Sequence, residues 1–394
     1  MEYFDIKPET PISSFCRDVK KGAFPISIVL PLVGMSETFA HKVIGRKKII
    51  SWDDVLRLLD QDAFQETFVP RSKIADFLQR EADIAVTDTC SEKDCVLKGD
   101  SLELIPKLPD ESIQCVVTST PYWAMRVYDE IIPTQWADGE VCPFGLEQTP
   151  EAFIRHSVEV LYRLKPKMTN SGSVWWNIMD SYNTRTQIRS NAAEALRAMQ
   201  GKDKRSWKDH QYKRYSAGHS FLKDGELCMI PQRIAERASR IGYYLKSIIS
   251  WCKTSSLPEP QNSRVSRNVE YILHLSSQRT PLFIKDRYLS TPEYLGGRQK
   301  HESEKLSDSW HLPTSSGKDG HGAQFPLQLP GRCIALTTNE NDLVLDPFAG
   351  AGTTLQAAQK MNRRFLGFDI SDEYIAIANK RLADGMNQLK FDNI

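Results

Sequence analysis

Neither a long apolar run nor a surplus of charge of one sign occurs in this 394-residue sequence. The chain has 51 Lys and Arg against 50 Asp and Glu, so overall charge neither indicates nor excludes a nucleic-acid partner. The most apolar early segment, Phe24 to Val33, is short and contains two prolines, and the first residues, MEYFDIKPET, lack the pattern of a signal peptide. We therefore expect no membrane span and a cytoplasmic location.

Cysteine is also sparse, with eight scattered residues. Such scatter indicates a reducing compartment rather than a disulfide framework. Cys90 and Cys95 lie close together, but no second pair of Cys or His follows near them, so we expect no metal site. The length allows roughly two domains or one large one.

A strand, a glycine-rich turn and a helix N-terminus are predicted in Asn341 to Thr354, NDLVLDPFAGAGTT. Leu343 to Leu345 reads as a buried strand that ends at Asp346, and Gly350 and Gly352 fall in the turn. Such a turn lets the backbone approach a ligand closely. A P-loop has Lys directly before its Ser or Thr, and here Gly352 takes that place. The pattern therefore predicts a site for a small cofactor rather than for a nucleoside triphosphate.

An acid ends the next predicted strand, Phe365 to Asp369, about 17 residues after Gly352. This position suits an acid that binds the two hydroxyls of a ribose. The alternative is that Asp346 only caps a helix and the glycines only form a turn. The placement of Asp369 favours the cofactor site.

A second strand-like run, Ile113 to Thr118, leads into the loop Ser119-Thr120-Pro121-Tyr122. Ser119 offers a hydroxyl oxygen, the backbone carbonyl of Thr120 offers a second acceptor, and Tyr122 offers an aromatic face. Together these groups suit a flat, polar base. The alternative is a buried turn in which Pro121 and Tyr122 only pack.

Strands alternate with helices from Cys95 onwards, which predicts a doubly wound parallel α/β sheet. We divide the chain into a mostly helical layer (1–90), a part with the Ser119 loop (91–275), a polar stretch (276–320) and a part with the glycine turn (321–394). The layer 1–90 is either a DNA-contacting domain or a packing extension. A doubly wound cofactor domain needs a third strand after its last helix, and we predict none there in residues 321–394. Val96 to Lys98 can supply this strand, so we infer a circularly permuted domain.

Residues 183–222 interrupt the alternation with many basic residues, few acids and interleaved aromatics. Such a composition suits a phosphate backbone and unstacked bases, and a solvated loop is the alternative. The residues that we predict to contact nucleic acid are Arg185, Arg189, Lys204, Arg205 and Lys208 of this insert, and Lys253 after the strand SIISW. The stretch 276–320 is either a target-reading region or a mobile connection.

With both motifs in view, residues 95–385 resemble the permuted, beta-group amino-methyltransferases of DNA. DPFAGAGTT resembles that family's S-adenosylmethionine motif and TSTPYW resembles its catalytic loop, while LKGDS, IISWCKTSSLPEP, NVEYILHL and HGAQFPLQL occur in the family's order. The resemblance implies a seven-stranded Rossmann-like sheet that binds S-adenosylmethionine at the strand ends. It assigns to the cofactor Asp346, Phe348, Gly350, Gly352 and Thr353 around the methionine end, Asp369 at the ribose, Asp100 near the adenine, and Phe325 and Pro326 near the sulfonium.

The same resemblance implies a chemistry for the loop. An exocyclic base amine is a weak nucleophile, so acceptors must hold its N–H groups while Tyr122 stacks the extruded base and the methyl moves by in-line displacement. In the family, Ser at the first loop position goes with cytosine and Asp or Asn with adenine, so Ser119 favours N4 of cytosine. Thr120 stands where the family has Pro, which keeps the carbonyl acceptor and makes the loop less rigid. No Pro-Cys pair occurs, which argues against methylation of a cytosine ring carbon.

We therefore expect a site-specific enzyme of a prokaryotic restriction–modification system that acts on double-stranded DNA. Its partner would be a cognate restriction endonuclease, without a stable complex, and the enzyme itself would be a monomer or homodimer. Two alternatives stay open: an N6-adenine methyltransferase, and an inactive DNA-binding regulator with a methyltransferase fold.

Overall fold

The computed structural model describes residues 23–33, 36–59, 93–123, 133–137, 140–147, 149–183, 186–188, 213–215, 222–223, 225–253, 263–314 and 325–391. Five predicted DNA contacts lie outside these residues: Arg185, Arg189, Lys204, Arg205 and Lys208. Within the described ranges, no helix is long and apolar enough to cross a membrane.

The described strands are β1 (Ala23–Pro25), β2 (Ile49–Ser51), β3 (Cys95–Lys98), β4 (Ile113–Ser119), β5 (Thr134–Gln135), β6 (Val141–Cys142), β7 (Met168–Ile178), β8 (Thr186–Ile188), β9 (Lys213–Tyr215), β10 (Tyr244–Cys252), β11 (Val269–Ser276), β12 (Ser309–Trp310), β13 (Leu343–Asp346) and β14 (Arg364–Asp369). The described α-helices are α1 (Ile26–Val33), α2 (Glu37–Ile44), α3 (Trp52–Leu59), α4 (Ser101–Leu104), α5 (Pro150–Leu164), α6 (Ile230–Arg240), α7 (Arg287–Ser290), α8 (Gln328–Thr337), α9 (Thr353–Lys360) and α10 (Asp372–Phe391).

The central sheet has the strand order β12-β10-β11-β7-β4-β13-β14-β3. Only β11 runs against the others, because it pairs antiparallel with both β10 and β7 while the remaining pairs are parallel. The strand predicted to complete the cofactor half, β3, pairs in parallel with β14. The resemblance implied seven strands; the eighth is the two-residue β12, which comes from the polar stretch 276–320.

Helices cover both faces of the sheet, so the fold is the predicted doubly wound α/β fold. Neighbouring residues of the buried strands point to opposite faces. Val116 and Trp176 join a core cluster that includes α5 and α6, and Val117 and Trp175 join a second cluster with α8 and α9. The sheet is apolar on both sides, as expected for strands covered by helices on each face.

Polar side chains cap the N-termini of several helices. Ser51 and Asp54 form a reciprocal capping box at α3, in which each side chain accepts from the backbone N–H of the other. Thr149 caps α5 through the backbone N–H of Ala152. The cap of α4 is Asp100, whose carboxylate accepts the Leu102 N–H at 2.8 Å. Ser101 is thereby the first residue of the helix.

The stretch 277–314 is anchored to α8 by a buried arginine. Arg332 is fully buried, and its guanidinium donates to both carboxylate oxygens of Glu302 and to the carbonyls of Gly296 and Gly297. The guanidinium carbon of Arg332 also lies 5.1 Å from the ring centre of Tyr288 and 5.0 Å from that of Trp310. These contacts fix the described part of the stretch on the sheet's outer edge; its role in target reading stays a prediction.

Candidate active site

The glycine turn and the Ser119 loop lie side by side at one edge of the sheet. β4 and β13 are parallel neighbours, with Cys115 opposite Val344, so both strands end at the same edge. The Thr118 hydroxyl donates a 2.7 Å hydrogen bond to Asp346 Oδ1, and both residues are buried. This bond joins the two motifs across 228 residues of sequence.

Two glycines shape the turn after β13. Gly350 and Gly352 have φ of +50° and +77°, a region that favours glycine. A Cβ on Gly352 would lie 2.8 Å from the Cβ of Ala378 in α10, whereas a Cβ on Gly350 would meet no atom within 4 Å. The turn is thus closed towards α10 and open beside Gly350. The Gly350 N–H donates at 2.8 Å to Asp369 Oδ2, which links the turn to the end of β14.

Two more of the predicted cofactor residues lie at this turn. Phe348 is half-buried, donates its N–H to Asp346 Oδ1 at 3.1 Å, and packs its ring against Phe144. Asp369 is half-buried and also accepts the Ser371 N–H at 2.9 Å. Both side chains therefore lie at the carboxyl edge of the parallel strands, where open α/β sheets bind ligands.

The other predicted cofactor residues hold neighbouring segments. Asp100 follows β3 and bonds Thr134 through Oδ2 as well as capping α4. The Thr353 hydroxyl accepts from the Arg381 guanidinium of α10 at 2.9 Å. Phe325 is buried in the cluster that contains Ala349 of the glycine turn, and Pro326 lies next to it before α8.

Asp346 is the acid most affected by its surroundings. Burial raises its pKa to about 6, although hydrogen bonds from Thr354, Thr118 and the Phe348 N–H act in the opposite direction. Nearby Asp369 adds to the rise through like-charge repulsion. A positively charged group placed here would favour the ionised form.

The Ser119 loop meets two polar residues that sequence reasoning missed. Tyr122 Oη lies 3.2 Å from Ser119 Oγ and hydrogen-bonds Glu270 Oε2. Asn177 Nδ2 donates to Tyr122 Oη at 2.7 Å, to Glu270 Oε2 at 2.8 Å and to Ser119 Oγ at 3.4 Å. We call Ser119, Tyr122, Asn177 and Glu270 the loop network.

A lysine completes the surroundings of the loop network. Lys253, which follows β10, forms an ion pair with Glu270 Oε1 and keeps about a fifth of its side chain exposed. Its ammonium also lies 5.2 Å from the centre of the Trp251 ring. The predicted contact of Lys253 with a DNA phosphate stays a prediction, and the ion pair gives its charge a partner inside the site.

A weak signal for the two missed residues exists in the sequence. Asn177 is the one polar side chain in the apolar run Val174 to Ile178, and Glu270 is an acid at the start of the apolar strand β11. Both are at least 94 % buried. Because buried polar groups are usually hydrogen-bonded, a polar residue in a buried strand indicates a partner nearby, although not which one.

The far end of the loop is fixed by a tryptophan. Trp123 is buried and donates its indole N–H at 3.0 Å to the carbonyl of Glu147. Glu147 in turn accepts at 3.0 Å from, or donates to, Nδ1 of the buried His156 on α5. These contacts fix the residue that directly follows the loop to α5 and the segment before it.

Several buried polar atoms around the loop have no hydrogen-bond partner among the described residues: Thr120 Oγ1, Asn177 Oδ1 and Asp180 Oδ2. Burial also raises the pKa of Asp180, while backbone N–H groups, including that of Ile230 at the start of α6, lower it. Of these atoms, Asn177 Oδ1 belongs to a side chain that contacts Ser119, so it is an acceptor available to a polar ligand there.

Comparison with known proteins gives consistent matches. Residues 113–380 match the family model described as DNA methylase, of the N6/N4 type. The type II methyltransferase M.XycI of Xanthomonas campestris pv. cyanopsidis is 30 % identical over 292 residues, 73 % of this chain and 87 % of that protein. M.Cfr9I of Citrobacter freundii is 29 % identical over 294 residues, with the same two coverages. The solved PvuII DNA methyltransferase (cytosine-N4-specific) shares the fold, with a TM-score of 0.50 at 19 % identity over 74 % of this chain and 91 % of that one.

Proposed function

This chain belongs to the DNA methylase family of the N6/N4 type, and on that premise we propose that it methylates N4 of a cytosine flipped out of duplex DNA. The observation that carries the proposal is the Thr118–Asp346 hydrogen bond, because it sets the end of the loop strand directly beside the glycine turn. A methyl donor held by the turn would then face a base held by the loop.

The cofactor is S-adenosylmethionine, and the residues of the turn fit it. The open space beside Gly350 admits a ligand, and half-buried Asp369 stands at the strand end where an acid binds ribose hydroxyls. Buried Asp346 suits a cationic group, since a positive neighbour offsets the cost of its ionisation. We assign Asp346, Phe348, Gly350, Gly352 and Thr353 to the methionine end, Asp369 to the ribose, Asp100 to the adenine end, and Phe325 and Pro326 to the sulfonium side. When bound, the cofactor supplies a methyl group activated by a sulfonium.

The loop residues bind and orient the base. Ser119 Oγ and the Thr120 carbonyl accept the two amine hydrogens, so the nitrogen lone pair turns out of the ring plane towards the methyl. Tyr122 provides the stacking face, and Pro121 limits the conformations of the loop. Orientation of the two reactants supplies most of the rate gain in such a displacement.

The base assignment rests on Ser119, a neutral hydroxyl at the first loop position. The order of the two halves, with the loop before the glycine turn, is the order of the permuted beta group. We also propose that the enzyme serves a prokaryotic restriction–modification system beside a cognate endonuclease, in the cytoplasm and as a monomer or homodimer. The DNA contacts proposed are Lys253 and the insert residues Arg185, Arg189, Lys204, Arg205 and Lys208.

The test is to express the protein in a host free of DNA methylation, digest the DNA to nucleosides and identify the methylated base by mass spectrometry. We expect N4-methylcytosine, with loss of product in Ser119→Ala. N6-methyladenine as the sole product would overturn the base assignment. Duplex binding without any methylated base would indicate the inactive regulator instead. Sequencing of the same DNA gives the recognition site.

A further inference from the structure

Glu270 is an acid buried beside the loop, and no step described above uses it. It lies at the start of β11, which is antiparallel to β7, so its side chain lies at the edge where β4 and β7 end. Its Oε2 receives the Tyr122 hydroxyl and the Asn177 amide, and its Oε1 pairs with Lys253. Both oxygens of this carboxylate thus have partners next to the base-binding loop. Because burying a charged group is costly, we expect Glu270 to have a role beyond packing.

The hydrogen bonds of the loop network have one direction. Asn177 Nδ2 can only donate, and an ionised Glu270 can only accept. Tyr122 Oη, which receives the Asn177 N–H at 2.7 Å, must therefore donate its own hydrogen to Glu270 and can accept from Ser119 Oγ at 3.2 Å. The chain of donors thus runs from Ser119 through Tyr122 to Glu270.

We propose that Ser119, Tyr122 and Glu270 form a proton relay that removes the proton lost by the target amine. The inference rests on the proposed function, since it requires an amine beside Ser119. Glu270 acts through the other two residues and is a positioning residue that also ends the relay. Lys253 holds Oε1 of Glu270, which leaves Oε2 directed at Tyr122.

The step balances in atoms and charge. The N–C bond to the methyl forms while the C–S bond breaks, and that electron pair goes to sulfur. One amine proton passes to Ser119 Oγ as the Ser119 proton passes to Tyr122 Oη and the Tyr122 proton to Glu270 Oε2. The sulfonium charge and the carboxylate charge disappear together. This neutralisation is favourable in a water-poor site, because separated charges are costly there. Glu270 returns its proton to solvent after product release.

The relay is tested with Tyr122→Phe and Glu270→Gln, each of which keeps the shape of the side chain and removes one transfer. Tyr271→Phe is the matched control, because Tyr271 lies next to Glu270 on β11 and points to the opposite face. Single-turnover methyl transfer is measured at saturating cofactor and DNA, in H2O and in D2O, on a duplex carrying the site found by sequencing.

We expect both relay variants to slow transfer by roughly 10²-fold or more, the lower end of the contribution of positioned proton transfer. In wild type and in Tyr271→Phe, several transferred protons should contribute to the solvent isotope effect on methyl transfer. The two relay variants should lose this multi-proton contribution. Cofactor affinity, and base extrusion reported by 2-aminopurine fluorescence, should stay at wild-type values in Glu270→Gln, which separates the relay from a structural role.

Two results would overturn the relay. One is a wild type without a solvent isotope effect on methyl transfer, and the other is a Glu270→Gln variant that transfers methyl at the wild-type rate. Either outcome leaves the methyltransferase proposal intact, because wild-type DNA methylation is seen in the same assay. Absence of methylation in wild type would instead contradict the proposed function itself.

Discussion

Asp346 offers the sharpest test of the cofactor site, because its ionisation should control both binding and stability. Its carboxyl is buried, and the pKa is raised from 3.8 to about 6. If the ionised form binds the cationic end of S-adenosylmethionine, affinity must fall as pH drops below 6. With a pKa of about 6, roughly nine-tenths of the group is ionised at pH 7 and one-tenth at pH 5. The dissociation constant should therefore rise about tenfold between these pH values.

The stability effect has the opposite sign. A carboxyl whose pKa is raised by folding favours the native state when protonated, so this contribution is present below pH 3.8 and lost as pH rises through about 6. A rise of about two pKa units corresponds to at most about 3 kcal/mol. Asp346→Asn removes the charge and can still accept from Thr118 and from the Phe348 N–H. Its free energy of unfolding at pH 7 should exceed that of wild type by up to this amount, and the two values should match below pH 3.8.

The two effects are measured by isothermal titration calorimetry with S-adenosylmethionine at pH 5 to 8 and by urea unfolding from about pH 3 to pH 8. Asp286→Asn, an exposed acid before α7, is the control and should change neither. We expect Asp346→Asn to be more stable and to bind weakly at every pH, a trade of stability for function. A variant that is less stable than wild type at pH 7, or a wild-type affinity that does not change between pH 5 and 7, would refute the reasoning.

Three further variants test other parts of the structure. Ser119→Ala should retain S-adenosylmethionine binding in calorimetry and lose methyl transfer to DNA; full transfer would remove Ser119 from the proposed role. Arg332→Met leaves Glu302 as an uncompensated buried charge and should lower the free energy of unfolding by about 3–5 kcal/mol in urea titration, whereas an unchanged value would contradict the anchoring of the stretch 277–314. Gly352→Ala places a Cβ 2.8 Å from that of Ala378 at φ +77° and should lower the free energy of unfolding by about 1–3 kcal/mol in the same assay. Gly350→Ala is the comparison, because a Cβ on Gly350 meets no atom within 4 Å.

The sequence predicted the strands well because their apolar runs are continuous and end in distinct polar turns. β13 and β14 were expected from Leu343 to Leu345 and from the run ending at Asp369, and β3 was expected to complete the same half of the sheet. The cap of α4 could not be chosen from the sequence, because Asp100 and Ser101 are adjacent and both residue types are good caps; only the geometry of the turn selects Asp100.

The loop network could not be predicted from residue spacing. Asn177 and Glu270 lie 58 and 151 residues beyond Ser119, and neither belongs to the loop motif. Their approach depends on the order of strands in the sheet, which the alternation of strands and helices leaves open. Lys253 was singled out for its charge, but its partner Glu270 becomes visible only when the neighbouring strand is in place.

The reversal of β11 is what brings an acid to the loop. In a sheet with all strands parallel, the first residue of every strand lies at the edge away from the active site. Glu270 is the second of the eight residues of β11, so in a parallel β11 it would take the present place of Leu275, five residues or about 17 Å away. Because β11 runs the other way, Glu270 stands beside the residue that follows the end of β10, Lys253, and opposite the ends of β4 and β7. The proposed relay is therefore a consequence of strand direction and not of the loop motif, and a related chain with the same loop but no acid at the start of its reversed strand should transfer methyl without the multi-proton isotope effect.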